Sequence, residues 1–126
     1  MRRRTNDGCG VALVWHKIVQ RAPTGTTTNN RPGYAHLLCF SQALRATTDN
    51  AAPDVLPALG EMDWKRAMGL EVATTAITWL RDHAGAQCIV APFCGTGTAL
   101  VAARQLGLDA IGIERNPGRA SKARLR

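Results

Sequence analysis

The sequence predicts an α/β protein: a parallel βαβ unit in its second half and an antiparallel strand pair in its first. Three observations carry that expectation. Two short apolar runs, 87–91 (QCIVA) and 109–114 (DAIGIE), bracket a helical segment and read as strands buried in a parallel sheet. A glycine-rich turn follows the first of them directly. Upstream, 11–19 (VALVWHKIV) and 36–41 (HLLCFS) have the β-branched and aromatic composition of strands.

Taken in order, 11–19 and 36–41 are joined by RAPTGTTTNNRPG, an irregular Pro-, Gly-, Thr- and Asn-rich loop, and can pair as an antiparallel hairpin. Residues 43–60 carry three Asp/Asn and two Pro with little periodicity, which predicts a linker or loop with at most short helical turns. From Asp63 the pattern changes. Trp64, Ala67, Met68, Val72, Ala76, Trp79 and Leu80 recur at three- and four-residue steps, an amphipathic helix to about Leu80. Asp63 is its expected N-cap and Gly85 its stop. Residues 99–106 (ALVAARQL) form the next helix, ended by Gly107. Asn116 and Pro117 open a last basic helix through Arg124, proline being favoured at the first helical position. Trp64 and Trp79 are assigned to the core. His16 and His36 are read as ordinary hydrogen-bonded strand residues, and His83 as a last-turn residue favouring the helix dipole.

The chain has 126 residues, 45% hydrophobic and 20% charged, with 16 Lys+Arg against 9 Asp+Glu and a formal net charge of +7. That length is one small domain or part of a larger one, and it can bury a core without disulfides or a structural metal. The apolar fraction excludes a disordered chain. No apolar run approaches the roughly 20 residues of a membrane span. The basic start, Arg2, Arg3 and Arg4, lacks the apolar segment of a secretory signal. A cytoplasmic protein away from membranes is expected. Cys9, Cys39, Cys88 and Cys94 contain no C-x-x-C pair and no His at zinc-ligand spacing, so no metal is expected and the thiols are read as reduced and mostly buried. The positive excess admits a polyanionic partner, although basic ends also serve solubility alone.

Chemistry concentrates in 89–98 (IVAPFCGTGT), at the carboxyl end of a predicted strand and the start of a helix, where α/β folds place ligands. Gly95 and Gly97 allow a tight turn and close ligand approach, and the helix start offers unpaired N–H groups. Glu114 closes the next strand about 20 residues on, where a carboxylate can accept hydrogen bonds from both ribose hydroxyls. This constellation points to an adenosine-type ligand. Leu100 stands where a dinucleotide fingerprint wants a third Gly or Ala, and no P-loop Lys is present. Duller readings stand beside these. Phe93 can be core, Gly112 close strand–helix packing, and Glu114 a surface acid.

PFCGTGT followed by LVAARQLGLDAIGIERNP resembles the S-adenosylmethionine-binding motifs of the DNA N4-cytosine/N6-adenine methyltransferases, whose first motif usually reads DPFCGSGT. VWHKIV and RPGYAHLLCFSQ look like the strand pair that follows the catalytic half in circularly permuted members. EMDWKRAMGLEVATTAITWL occupies the place of the helix before the first motif. The resemblance covers 11–126, leaving 1–10 as a basic N-terminal tail, and its specific motifs lie in 89–117. It implies a partial Rossmann-like SAM-methyltransferase fold, S-adenosyl-L-methionine as cofactor and DNA as partner. On it, Pro92, Phe93, Cys94, Gly95, Thr96, Gly97 and Thr98 wrap the methionine and sulfonium side, and Glu114 binds the ribose. Phe93 and Arg115 flank the adenosine pocket, while Met68 and Gly69 approach the carboxylate.

The sequence departs from that family twice. Ala91 stands where the first motif usually has Asp, whose carboxylate helps fix the cofactor's ammonium. A lost charge-assisted hydrogen bond is typically worth about 1.5–3 kcal/mol. No Pro-Pro occurs anywhere, so the Asp/Asn/Ser-Pro-Pro-aromatic loop that holds the target amino group is missing from these residues. Two readings follow. The first is a DNA amino-methylating enzyme represented by its cofactor-binding half. The second is a non-catalytic, truncated methyltransferase-like module that binds nucleic acid or a partner protein. Strand edges left open by absent central strands also predict self-association or a complementing subunit.

Overall fold

The computed structural model describes residues 10–23, 25–26, 32–56, 60 and 68–126. They divide between two compact units, Met1–Pro57 and Ala58–Arg126. Several sequence expectations fall outside the described residues: Arg2, Arg3, Arg4, Cys9, Asp63, Trp64 and Ala67.

In the first unit, β1 (Ala12–Gln20) and β2 (Tyr34–Ser41) form the expected antiparallel pair, with His16 opposite Leu38 and Ile18 opposite His36. A register shift between Leu13 and Trp15 inserts one residue into β1. The strict two-residue alternation is therefore broken, and Val14, Lys17 and Val19 are all buried. The segment 43–60, expected to be loop, contains a short third strand, β3 (Val55–Leu56), which pairs in parallel with the free edge of β1. Two residues after Pro53 are too few to show periodicity. Asp54 fastens this strand: its carbonyl accepts from the Ile18 N–H at 2.9 Å, and its carboxylate accepts from Lys17 Nζ at 2.8 Å. The buried Lys17 stem thus ends on a partner.

Hydrogen bonding and the charge of Lys17 hold the Asp54 carboxyl below its ordinary range. A carboxylate with a depressed folded-state pKa adds stability above its unfolded value, about 3.9, and loses that contribution as pH falls through the folded value. Asp54→Asn should therefore be less stable than the natural chain at pH 7, with the gap closing below about pH 4. Denaturant midpoints of both chains at pH 7 and pH 3 check this.

The second unit runs α1 (Leu70–Ala84), β4 (Cys88–Ala91), α2 (Thr98–Gln105), β5 (Asp109–Gly112) and α3 (Pro117–Leu125). β4 and β5 pair in parallel, Cys88 opposite Asp109 and Ala91 opposite Gly112, which is the predicted βαβ unit. α1 differs from expectation at both ends. Met68 lies outside the helix, and Gly69 is an extended N-cap at φ −70°, ψ 145°. Glycine's low helix propensity sets the start there despite the apolar periodicity upstream. At the other end α1 continues to Ala84, where Gly85 closes it in the left-handed region at φ 63°.

The core of this unit is small. Ala102 and Ala103 of α2 meet Ala73 and Ile77 of α1, and Ile89, Leu106, Leu108 and Ala110 pack around them. Alanine at both α2 positions lets the helices approach over the inner face of the strand pair. Trp79 is buried, as expected, and its ring lies 5.3 Å from that of His83 in the last turn of α1. On the outer face, Val90 and Ile111 are exposed. So is Cys88, against the expectation of mostly buried thiols: Cys39 is buried, Cys94 half-buried, and all three are free. An outward-facing strand position accounts for Cys88, while burial pushes the Cys39 thiol pKa up. Among the described residues no helix is long and apolar enough to cross a membrane.

Candidate functional site

At the end of β4 the chain turns through residues 92–97 before entering α2. Gly95 (φ 57°) and Gly97 (φ 89°) both occupy the left-handed region, where a side chain is strained. They differ in why glycine is needed. A Cβ on Gly95 would meet open space, so only its backbone angle demands glycine. A Cβ on Gly97 would lie 3.0 Å from the Ala123 Cβ, so this residue also seats α3 against the turn. Gly97 closes the turn by donating its N–H to the Cys94 carbonyl at 2.9 Å, and it N-caps α2 without any side-chain acceptor.

The turn is tied to the far end of β5. The Cys94 N–H donates to the Ile113 carbonyl at 3.0 Å, continuing the parallel ladder past the formal strand ends. Glu114, two residues beyond β5, then reaches back. Its Oε2 accepts from the Gly95 N–H at 3.0 Å, and its Oε1 accepts from the Asn116 N–H at 2.7 Å. One carboxylate thus spans the glycine turn and the start of α3. An ionised carboxylate has about four lone-pair sites. Two amide donors leave roughly one on each oxygen, an arrangement suited to two neighbouring hydroxyls. Asn116 in turn caps α3, its Oδ1 accepting from the Arg119 N–H at 3.1 Å.

Between these elements lies a crevice of about 890 Å³. Of the residues predicted for a site, Met68, Pro92, Phe93, Cys94, Gly95, Thr96, Thr98, Glu114 and Arg115 line it. Gly69 and Gly97 do not line it; both are buried, at the N-caps of α1 and α2. The core reading of Phe93 is overturned: its side chain is 92% exposed at the edge of the crevice, because the turn carries it off the strand. The packing reading of Gly112 holds, since a Cβ there would fall 2.6 Å from Leu100 Cδ1 and 2.8 Å from Cys94 Sγ.

The lining also includes Ala91, the position where the sequence departs from the usual Asp, and Ala99, Ile113 and Arg119, which the sequence reading did not single out. Arg119 sits in the first turn of α3. The Asn116-Pro117 start could have indicated it, by fixing which residues stand at the helix mouth. Arg126 supports the turn from the other end of α3, its Nη1 donating to the Thr96 carbonyl at 3.3 Å and to Thr98 Oγ1 at 3.4 Å.

A glycine turn between a parallel strand and a helix, faced by an acid beyond the next strand, defines the class of structure. The fold is a partial Rossmann-like α/β fold, a parallel βαβ unit with a small separate sheet. Among solved structures that share it is a candidate DNA modification methylase from Thermus thermophilus in complex with S-adenosyl-L-methionine. The match has 21% identity and a TM-score of 0.64, covering 93% of this chain and 53% of that one. The M1.HpyAVI–SAM complex matches at 16% identity and a TM-score of 0.64, over 93% of this chain and 62% of that one. The chain therefore spans little more than half the length of these structures. No protein-family model and no curated protein matches the sequence.

Proposed function

We propose that the crevice binds S-adenosyl-L-methionine and that the chain is the cofactor-binding part, residues 11–126, of a DNA amino-methyltransferase acting on N4 of cytosine or N6 of adenine. The observation that carries this reading is the Glu114 carboxylate, held at the mouth of the glycine turn by the Gly95 and Asn116 amides with acceptor capacity to spare. In this reading the ribose hydroxyls bind Glu114 and the adenine lies between Phe93 and Arg115. The methionine end lies over Thr96 and Thr98, toward Met68. Bound S-adenosyl-L-methionine supplies an electrophilic sulfonium methyl. The chain's own part is positioning, because in-line displacement depends on geometry more than on acid–base groups.

The loop that holds the target base comes, in this proposal, from polypeptide outside these residues. The uncovered outer face of β4 and β5, with Val90 and Ile111 exposed, supports a complementing segment or self-association there, because parallel sheets are normally covered on both sides. DNA is the proposed substrate, with the basic segment 1–10 as a tail, and the cytoplasm the proposed compartment.

A second reading, a non-catalytic module with a weakened pocket, is favoured by one observation. Ala91 lines the crevice with a methyl group where the resembling family carries a carboxylate. Isothermal titration with S-adenosyl-L-methionine separates the two. The first reading expects saturable one-to-one binding below about 1 mM; no heat at that concentration favours the second.

A further inference from the structure

We propose that His16 and His36 form a two-imidazole chelate for a borderline divalent transition-metal ion, of the nickel or copper class, on the outer surface of the β1–β2 pair. The two residues are diagonal neighbours in the antiparallel register, His16 pairing with Leu38 and His36 with Ile18, and so share one face of the sheet. Both side chains are exposed, so the site is open to ions in solution. His16 Nε2 and His36 Nδ1 lie 2.8 Å apart, with the ring centroids 4.9 Å apart and the planes tilted by 43°. The edge-on contact between Tyr34 and His36, at 5.5 Å and 88°, limits rotation of the second ring.

That spacing is the one a chelate requires. Imidazole nitrogens bind such ions at about 2.0–2.1 Å, so two of them at adjacent corners of a tetragonal ion stand about 2.9 Å apart. The two nitrogens face one another at hydrogen-bond distance, and an ion bonded to both would sit about 1.5 Å off the line joining them, which a modest rotation of the two exposed rings allows. Chelation needs no net loss of protons from the neutral pair. His16 must carry its proton on Nδ1 and His36 on Nε2, which frees the converging lone pairs. Water completes the coordination. Because the ligands come from two strands, the bound ion also cross-links the hairpin, and it stabilises the folded state by binding it in preference to the unfolded chain.

The test is a titration of the whole chain with Ni2+, followed by calorimetry and by thermal melting. The expected result is one ion bound per chain and a melting temperature that rises with Ni2+. His16→Gln and His36→Gln should each weaken binding at least about tenfold, since a single imidazole loses the chelate effect. His83→Gln, which removes the histidine in α1, and Cys88→Ser, which removes the exposed thiol, should leave it unchanged. Both strand variants alter exposed side chains, and far-ultraviolet circular dichroism checks that each stays folded. An electron paramagnetic resonance spectrum of the Cu2+ form should show two equatorial nitrogens. Absence of binding, equal binding in all four variants, or loss of binding in His83→Gln or Cys88→Ser would overturn the proposal.

Discussion

Glu114→Ala is expected to weaken S-adenosyl-L-methionine binding by at least about a hundredfold, beyond the range of ordinary calorimetry. Two effects add. In the proposed binding mode the ribose loses two hydrogen bonds to a charged acceptor, each worth about 1.5–3 kcal/mol. The Gly95 and Asn116 amides also lose the acceptor that holds them, so the turn is no longer preorganised. Glu114→Gln keeps one oxygen but turns an amide NH2 toward a donor. It should bind with an affinity between the two. The same series measured with adenosine separates the ribose contribution from the rest of the cofactor. If Glu114→Ala binds S-adenosyl-L-methionine as the natural chain does, the carboxylate is a surface acid.

Gly97→Val is expected to be strongly destabilising to the second unit, costing about 2–5 kcal/mol in unfolding free energy. Part of that is backbone strain, since φ 89° is reached readily only by glycine. The rest is overpacking against the Ala123 Cβ and Cα, which a Cβ would approach to 3.0 and 3.2 Å. Relief requires α3 to move away, which breaks the Arg126 hydrogen bonds to Thr96 and Thr98. Gly95→Ala separates the two causes, because it carries similar strain (φ 57°) into open space and should cost less. Equilibrium denaturation of both variants measures the difference. Equal destabilisation would mean that the contact with α3 contributes nothing.

The parts of the fold that were legible in the sequence are those written in short-range chemistry. The β4–α2–β5 unit shows as two apolar runs around an alanine-rich helix, and Asn116-Pro117 marks the start of α3 because capping and a fixed φ are local properties. What depends on distant partners was not legible. The periodicity carried α1 back through Met68, which lies outside it, because periodicity does not register a glycine held extended at position 69. Nothing in Val55–Leu56 announces a strand, since its pairing is created by β1 and by the Lys17–Asp54 contact.

The site divides in the same way. The glycine turn and the acid near the end of β5 could be read from spacing alone. The hydrogen bonds by which Glu114 holds the turn could not, because they depend on how the chain beyond β5 comes back to the end of β4. Phe93 illustrates the limit of burial tendencies. An aromatic residue in an apolar run is usually core, yet here the turn projects it into solvent beside the crevice.

The most direct measurement is nuclear magnetic resonance of the 15N-labelled chain titrated with S-adenosyl-L-methionine, following backbone amides. Binding in the crevice predicts the largest shifts at Gly95, Thr96 and Asn116, whose amides belong to or border the hydrogen-bonded frame of Glu114, and little change in the β1–β2 pair. Shifts confined to the first unit, or an unchanged spectrum at millimolar cofactor, would contradict it.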